Sequence, residues 1–249
     1  MVWWFVSFCV AWAAPGSRGE SAGVDFGAPE RLVNCRALLE VDTGADGSVE
    51  WAYSYQFDRE GLLQEVAGEA LRSGVGHPRM YYRYDEAGRL TMRGWDGNRD
   101  GRLDTLTMNR WRGDELVVSE ELGDGTTVYT AYTWVGGHPV SLLRHEGVVG
   151  VADRVTLQQW RGDQLVRRET YDLQGGIAET VEWFRYDPFG RLVERETDEG
   201  ADGFVDARQQ EVWGPDGRLV ERLADKDNDG VIDVRSVVAW HCLPRRSGP

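Results

Sequence analysis

Lysine is almost missing from this 249-residue chain: Lys226 is the single one among 28 basic residues, which face 42 acidic ones. A formal net charge of −14 excludes a general nucleic-acid binder, because no basic patch able to track phosphates survives that balance. Long apolar runs are absent after residue 14, which excludes membrane-spanning helices from the rest of the chain. Helical periodicity nowhere persists beyond one turn. Catalytic signatures are missing too. There is no H-E-x-x-H, C-x-x-C or G-x-S-x-G, and His77, His138, His145 and His241 are scattered in or beside turns. The chain therefore reads as non-enzymatic, with 41% hydrophobic and 11% aromatic residues to build a folded core.

Cysteine is scarce, with three residues. The first lies in the uncharged opening MVWWFVSFCVAWAA, which has the apolar core of a secretory signal and an A-x-A-like end at Ala11-Trp12-Ala13. Residues 1–13 are accordingly expected to be a signal peptide, 14–30 a flexible segment, 31–243 a single β-repeat domain and 244–249 a disordered tail. Cleavage would remove Cys9 and leave Cys35 and Cys242, and two cysteines in an exported chain usually pair.

Self-similarity is the strongest signal. A glycine turn followed three residues later by an acid recurs at Asp46-Gly47/Glu50, Asp100-Gly101/Asp104, Asp202-Gly203/Asp206 and Asp229-Gly230/Asp233, with weaker copies at glycines 76, 125, 150 and 176. These eight glycines are 24–29 residues apart. Between them lies a second element: an aromatic residue, a short turn, then Leu or Val. Tyr84-Asp85-Glu-Ala-Gly88-Arg89-Leu90 and Tyr186-Asp187-Pro-Phe-Gly190-Arg191-Leu192 are full copies, and Trp213…Leu219 keeps the spacing. The intervening segments are 7–10 residues long, rich in Thr, Val, Tyr and Trp, and partly alternating, as strands are. The expected fold is all-β: about sixteen strands in an antiparallel up-and-down meander. Barrel, propeller and curved shell all remain open.

The Tyr-Asp-x-x-Gly-Arg-Leu turns resemble the YD repeats of the RHS family over about residues 50–240. That resemblance implies a curved β-shell, secreted or on a cell surface, and in some members enclosing a toxin. This chain is too short to enclose one, so architecture alone carries over.

Asp225, Asp227, Asp229 and Asp233, with the Val231 carbonyl, match the front of an EF-hand loop, in which alternate residues supply oxygens to a hard cation. Ser236 stands where an EF-hand has its last glutamate, so the loop more closely resembles the D-x-D-x-D-G-x-x-D calcium loops of integrin-type propellers. Asp96, Asn98, Asp100 and Asp104 form a second copy. Calcium is therefore the expected cofactor, with loop 225–233 binding most tightly and loop 96–104 next. Loops 42–50 and 198–206 have Gly at position 3 and read as plain turn chemistry.

Trp111, Trp134, Trp160, Tyr186 and Trp213 occupy equivalent places in successive units, so they should form a ladder. Buried, it is core; exposed, it could hold carbohydrate or an extended chain. Counting strands puts Cys35 and Cys242 at the same sheet edge, where an eighth YD-type turn is missing. A Cys35–Cys242 bridge would make the first and last strands neighbours and close the ring. The glycines at 47, 101, 203 and 230 should take positive φ, with Gly200 a milder position. The function read from these features is an exported, calcium-stiffened scaffold or binding protein of the envelope or extracellular space. Its partner would be a carbohydrate or an envelope or extracellular protein, with no membrane span. Alternatives are a secreted hydrolase using a carboxylate pair on the acidic turns, or an accessory relative of RHS toxin shells.

Overall fold

The computed structural model describes residues 20–21, 24–25, 35–58, 60–70, 76–123, 125–146 and 151–242. The expected signal peptide and C-terminal tail lie outside these residues. Within the segment 14–30, Glu20–Ser21 (β1) pairs antiparallel with Val24–Asp25 (β2).

The remaining sixteen strands form one antiparallel barrel in chain order. Its first half comprises β3 (Cys35–Asp42), β4 (Trp51–Phe57), β5 (Leu63–Ala70), β6 (Gly76–Tyr84), β7 (Leu90–Asp96), β8 (Thr105–Arg112), β9 (Glu115–Gly123) and β10 (Thr126–Val135). Its second half comprises β11 (His138–Glu146), β12 (Arg154–Arg161), β13 (Gln164–Asp172), β14 (Ile177–Tyr186), β15 (Leu192–Glu199), β16 (Ala207–Trp213), β17 (Leu219–Asp225) and β18 (Val234–Cys242). The meander is the expected one, and closure as a barrel settles the choice left open by the sequence pattern. Strand β18 pairs with β3 over eight residue pairs, from Arg235 opposite Asp42 to Cys242 opposite Cys35.

The register threads one continuous face through the wall. Ala37 lies opposite both Trp240 and Tyr55, Tyr55 opposite Val66, and Leu39 opposite Val238. This face is the more buried, with Ala37, Tyr55 and Val66 each 1% exposed. Its side chains also reach strands two places away: Arg93 of β7 to Glu121 of β9 at 3.4 Å, Arg154 of β12 to Glu179 of β14 at 2.8 Å, and the Phe57 and Trp240 rings across β3. Ion pairs of the opposite face, such as Arg110–Glu120, Arg208–Glu196 and Arg235–Glu221, join adjacent strands. Convergence over two strands is what curvature does to a concave surface, so the buried face points inward.

That inner face is not uniformly apolar. A cluster of Leu39, Tyr55, Val66, Tyr82 and Val238 lines β3–β6 and β18, whereas buried ion pairs line β13–β17. Arg168 bonds Glu182 through both its Nε and its terminal nitrogen, and Arg222 reaches Glu211 at 2.7 Å. Both faces therefore carry charge. Charged side chains on a lipid-facing barrel wall cost about 2–4 kcal/mol each for Arg or Lys at the membrane midplane. Arg79, Arg110, Arg185, Arg208 and Arg235 stand on the outer wall.

The expected Cys35–Cys242 disulfide is present, with Cα atoms 4.1 Å apart and a sequence separation of 207 residues. It stands at the edge of the barrel where seven hairpin turns leave the eighth position empty. Cross-linking such distant positions restricts the unfolded chain strongly. Replacing both cysteines by serine is expected to lower the unfolding free energy by roughly 2–5 kcal/mol, read from urea midpoints. A double variant as stable as the parent would mean the bridge is not formed.

Candidate functional site: the aromatic girdle and the acidic turn rim

Seven YD-type turns and the disulfide share one end of the barrel; eight glycine-type connections share the other. At each YD-type turn the register shifts by one residue just before an aromatic: Phe57, Tyr84, Trp111, Trp134, Trp160, Tyr186 and Trp213. These bulges place each aromatic opposite the first or second residue of the following strand, Leu63, Leu90, Leu116, Pro139, Leu165, Leu192 or Leu219. A bulge re-aims a side chain, and here it keeps both members of each pair on the inner face.

The five expected ladder residues are all present in this girdle, each half-buried. Their polar atoms are used internally. The indole N–H of Trp111 donates to the Leu90 carbonyl at 2.8 Å, Trp134 to Leu116 at 2.7 Å, Trp160 to Pro139 at 2.8 Å and Trp213 to Leu192 at 2.7 Å. The Tyr186 hydroxyl donates to Leu165 at 2.9 Å. Each aromatic thus ties its hairpin to the preceding one. The sequence pattern missed Trp240, which makes the same bond to Leu219 at 2.8 Å. In the sequence Trp240 is followed by the disulfide cysteine Cys242 and not by a YD-type motif, so it lacked the signal that marks the others.

The YD-type turn itself explains its consensus. Asp85 Oδ1 accepts the amides of Ala87 and Arg89, and Oδ2 accepts the Arg89 side chain at 2.7 Å. Asp187 repeats this with Phe189 and Arg191. The arginine then lies over the aromatic of the next unit: Arg89 over Trp111, Arg191 over Trp213 and Arg218 over Trp240. Bonds from Arg89, its side chain foremost, hold Asp85 below the usual carboxylate range. Burial pushes Asp187 upward, but the bonds from Arg191 and Phe189 outweigh it and lower the group as well.

At the opposite rim, loops 42–50, 96–104, 198–206 and 225–233 are built alike except at position 3, where Gly200 has positive φ and Gly44, Asn98 and Asp227 do not. Position 4 has positive φ in all four (Ala45, Arg99, Ala201, Asn228), as does the glycine at position 6. The first aspartate is buried, and its Oδ2 accepts the position-6 amide: Asp42 from Gly47, Asp96 from Gly101, Asp198 from Gly203 and Asp225 from Gly230. The acid at position 9 accepts the amide of position 2, as Asp104 does from Gly97 and Asp233 from Lys226. Most of the loop carboxylate oxygens therefore order the turn itself.

Among the described residues, two acidic triads gather oxygens within 4.8 Å of one another. One is Asp225, Asp227 and Asp229, the centre of the expected site; Asp233 instead binds the Lys226 amide. The other is Asp42, Asp46 and Glu50, which the sequence pattern assigned to plain turn chemistry. Asp96, Asp100 and Asp104 are not drawn together in this way. Glu50 is one methylene longer than the aspartate at position 9 of the other three loops, and it also accepts the position-2 amide, from Thr43 at 2.8 Å.

No family model matches the chain, and no curated protein matches it. Among solved structures, a porin-like protein from Bacteroides uniformis aligns with a TM-score of 0.51 at 9% identity, covering 84% of this chain and 96% of that one. The TcdB2-TccC3 structure aligns at 0.23 and 10% identity, covering 74% of this chain but 15% of its own. The Photorhabdus luminescens Tc holotoxin pore aligns at 0.18 and 11% identity, covering 76% and 14%. The first of these shares the barrel fold.

Two expectations follow from this geometry. Because Asp85 and Asp187 have folded-state pKa values below the unfolded value of 3.8, their contribution to stability is complete above that pH and is lost as pH falls through the folded values. Asp85→Asn should lower the urea midpoint at neutral pH and flatten its decline between about pH 5 and 2; an unchanged acid slope would show that the turn bonds do not stabilise the fold. The second concerns glycine. Gly230 has φ +91°, as expected, but Gly200 has φ +90°, which corrects its reading as the milder position. A β-carbon at either meets nothing within 4 Å, so the cost is backbone strain alone. Gly230→Ala and Gly200→Ala should each cost about 1–2 kcal/mol in denaturant unfolding; a neutral effect at both would contradict the left-handed assignment.

Proposed function

We propose that this chain is an exported, non-enzymatic β-barrel scaffold of the cell envelope or extracellular space, stiffened by calcium at loop 225–233. The observation that carries this reading is the covalent seam. Disulfides persist in oxidising compartments, and Cys35–Cys242 welds the first strand of the barrel to the last. The charge on both faces supports a barrel that works in water rather than in lipid. Its partner, on this reading, is a carbohydrate or an envelope or extracellular protein held at the girdle end, where half-buried aromatic rings present apolar edges. Export through residues 1–13 and kinship with the YD repeats belong to the same reading.

Calcium is supported by the Asp225/Asp227/Asp229 triad, since three carboxylates held this close repel one another unless a cation joins them. A cation that binds only the folded state stabilises it by about 2.7 kcal/mol at a hundredfold excess over its Kd. Calcium should therefore raise the melting temperature relative to an EDTA-treated sample, and Asp227→Ala should remove most of that rise. Equal melting temperatures with calcium and with EDTA would remove calcium from the account.

A further inference from the structure

The four rim loops share the bonds made by the amides of positions 2, 6, 7 and 9 but differ at positions 3 and 5; at position 3, Gly44 donates to Asp42 Oδ1 and Gly200 to the Glu179 carbonyl. In loops 42–50, 198–206 and 225–233, the first aspartate's Oδ1 accepts the amide of position 5: Asp42 from Asp46 at 3.2 Å, Asp198 from Asp202 at 3.1 Å and Asp225 from Asp229 at 3.1 Å. In loop 96–104 the side chain at position 3 takes that amide instead, Asn98 Oδ1 accepting from Asp100 at 2.8 Å. Asp96 is 2% exposed, and its Oδ1 is left without any hydrogen-bond partner. Glycine at position 3 in loops 42–50 and 198–206 cannot compete for the amide. In loop 225–233, Asp227 shares it at a longer 3.3 Å, so Asp225 keeps its bond.

A buried carboxylate oxygen with no donor is costly and calls for a counter-group. Arg79, the register partner of Asp96 on β6, feels the charge of Asp96 but lies 3.7 Å from Glu65. Arg99, inside the loop, turns away to donate to the Gly68 carbonyl. We propose that Asp96 anchors a divalent-cation site in loop 96–104, and that this loop fills before loop 225–233. The proposal rests on the calcium reading above but reverses the order expected from counting carboxylates. Asp96 Oδ1 offers the ion an oxygen that no hydrogen bond already satisfies, whereas Asp225 Oδ1 already accepts the Asp229 amide. Asp100 and Asp104, each with an oxygen beyond the one that holds its turn amide, move in on the ion with main-chain carbonyls and water.

Trp95 makes the site testable by itself. Its ring lies against Gly97, where a β-carbon would sit 2.7 Å from the ring edge, so it is an energy donor next to this loop. Terbium titrated into the calcium-free protein should give tryptophan-sensitised emission that calcium displaces. Trp95→Phe should abolish most of that emission without removing a ligand, and Asp96→Asn should weaken binding at least tenfold. Asn98→Gly recreates the position 3 of the two sister loops, returns the amide to Asp96 and should also weaken binding at least tenfold in a folded protein. Asp227→Ala should leave the emission in place. Emission that survives Trp95→Phe and disappears with Asp227→Ala would overturn the proposal and leave the calcium reading standing. No emission, together with no calcium effect on melting, would overturn both.

Discussion

Everything in this molecule depends on strand β3 finding strand β18. A sixteen-stranded meander has two outer strands whose amides and carbonyls point at nothing, and such edges template aggregation. Pairing Cys35–Asp42 with Val234–Cys242 removes both at once. The pairing joins residues some two hundred positions apart, so its chain-entropy cost falls late and is large. The disulfide lies at the last rung of this ladder, where it holds the most expensive contact in the fold. Its neighbours Ala37, Leu39, Tyr55, Phe57 and Val238 belong to a buried apolar cluster. The seam is thus fastened by a covalent bond, a ladder of backbone hydrogen bonds and a buried apolar cluster.

The rest of the barrel is held by local rules repeated around a ring. At three turns of one end, an aspartate fixes an arginine, the arginine covers the next tryptophan, and that tryptophan's N–H is donated back to the preceding hairpin. Each unit therefore stabilises both neighbours, which is how a repeat protein spreads stability along its length. Inside, Arg93, Arg168, Arg195 and Arg222 each stand three residues after the first leucine of a strand, and glutamates answer them. The bulges create that offset of three. Without them, a strict alternation would send these arginines to the outer wall.

The number of strands, their order and the two kinds of turn were legible because glycine spacing and aromatic spacing repeat independently, and both count to the same architecture. The Cys35–Cys242 pairing was legible for the same reason: an even strand count leaves both cysteines at the end that lacks a turn. The bulges were not. They appear in sequence as nothing more than one extra residue after Leu63, Leu90 or Leu192, and parity is invisible until the register is known. The acidic loops were legible as turns but not as a ranking. Carboxylate counting favours loop 225–233, whereas whether the first aspartate's Oδ1 is bonded turns on the position-5 amide, for which the side chain at position 3 competes.

The central claim is that the barrel is closed between β3 and β18, and hydrogen–deuterium exchange at that seam tests it most directly. In a closed ring, the amides of residues 36–42 and 235–241 should exchange as slowly as those of interior strands such as β13 and β14, since all have partners on both sides. Rapid exchange of alternate amides in both seam strands, with the other fourteen protected, would mean an open sheet and would contradict the account.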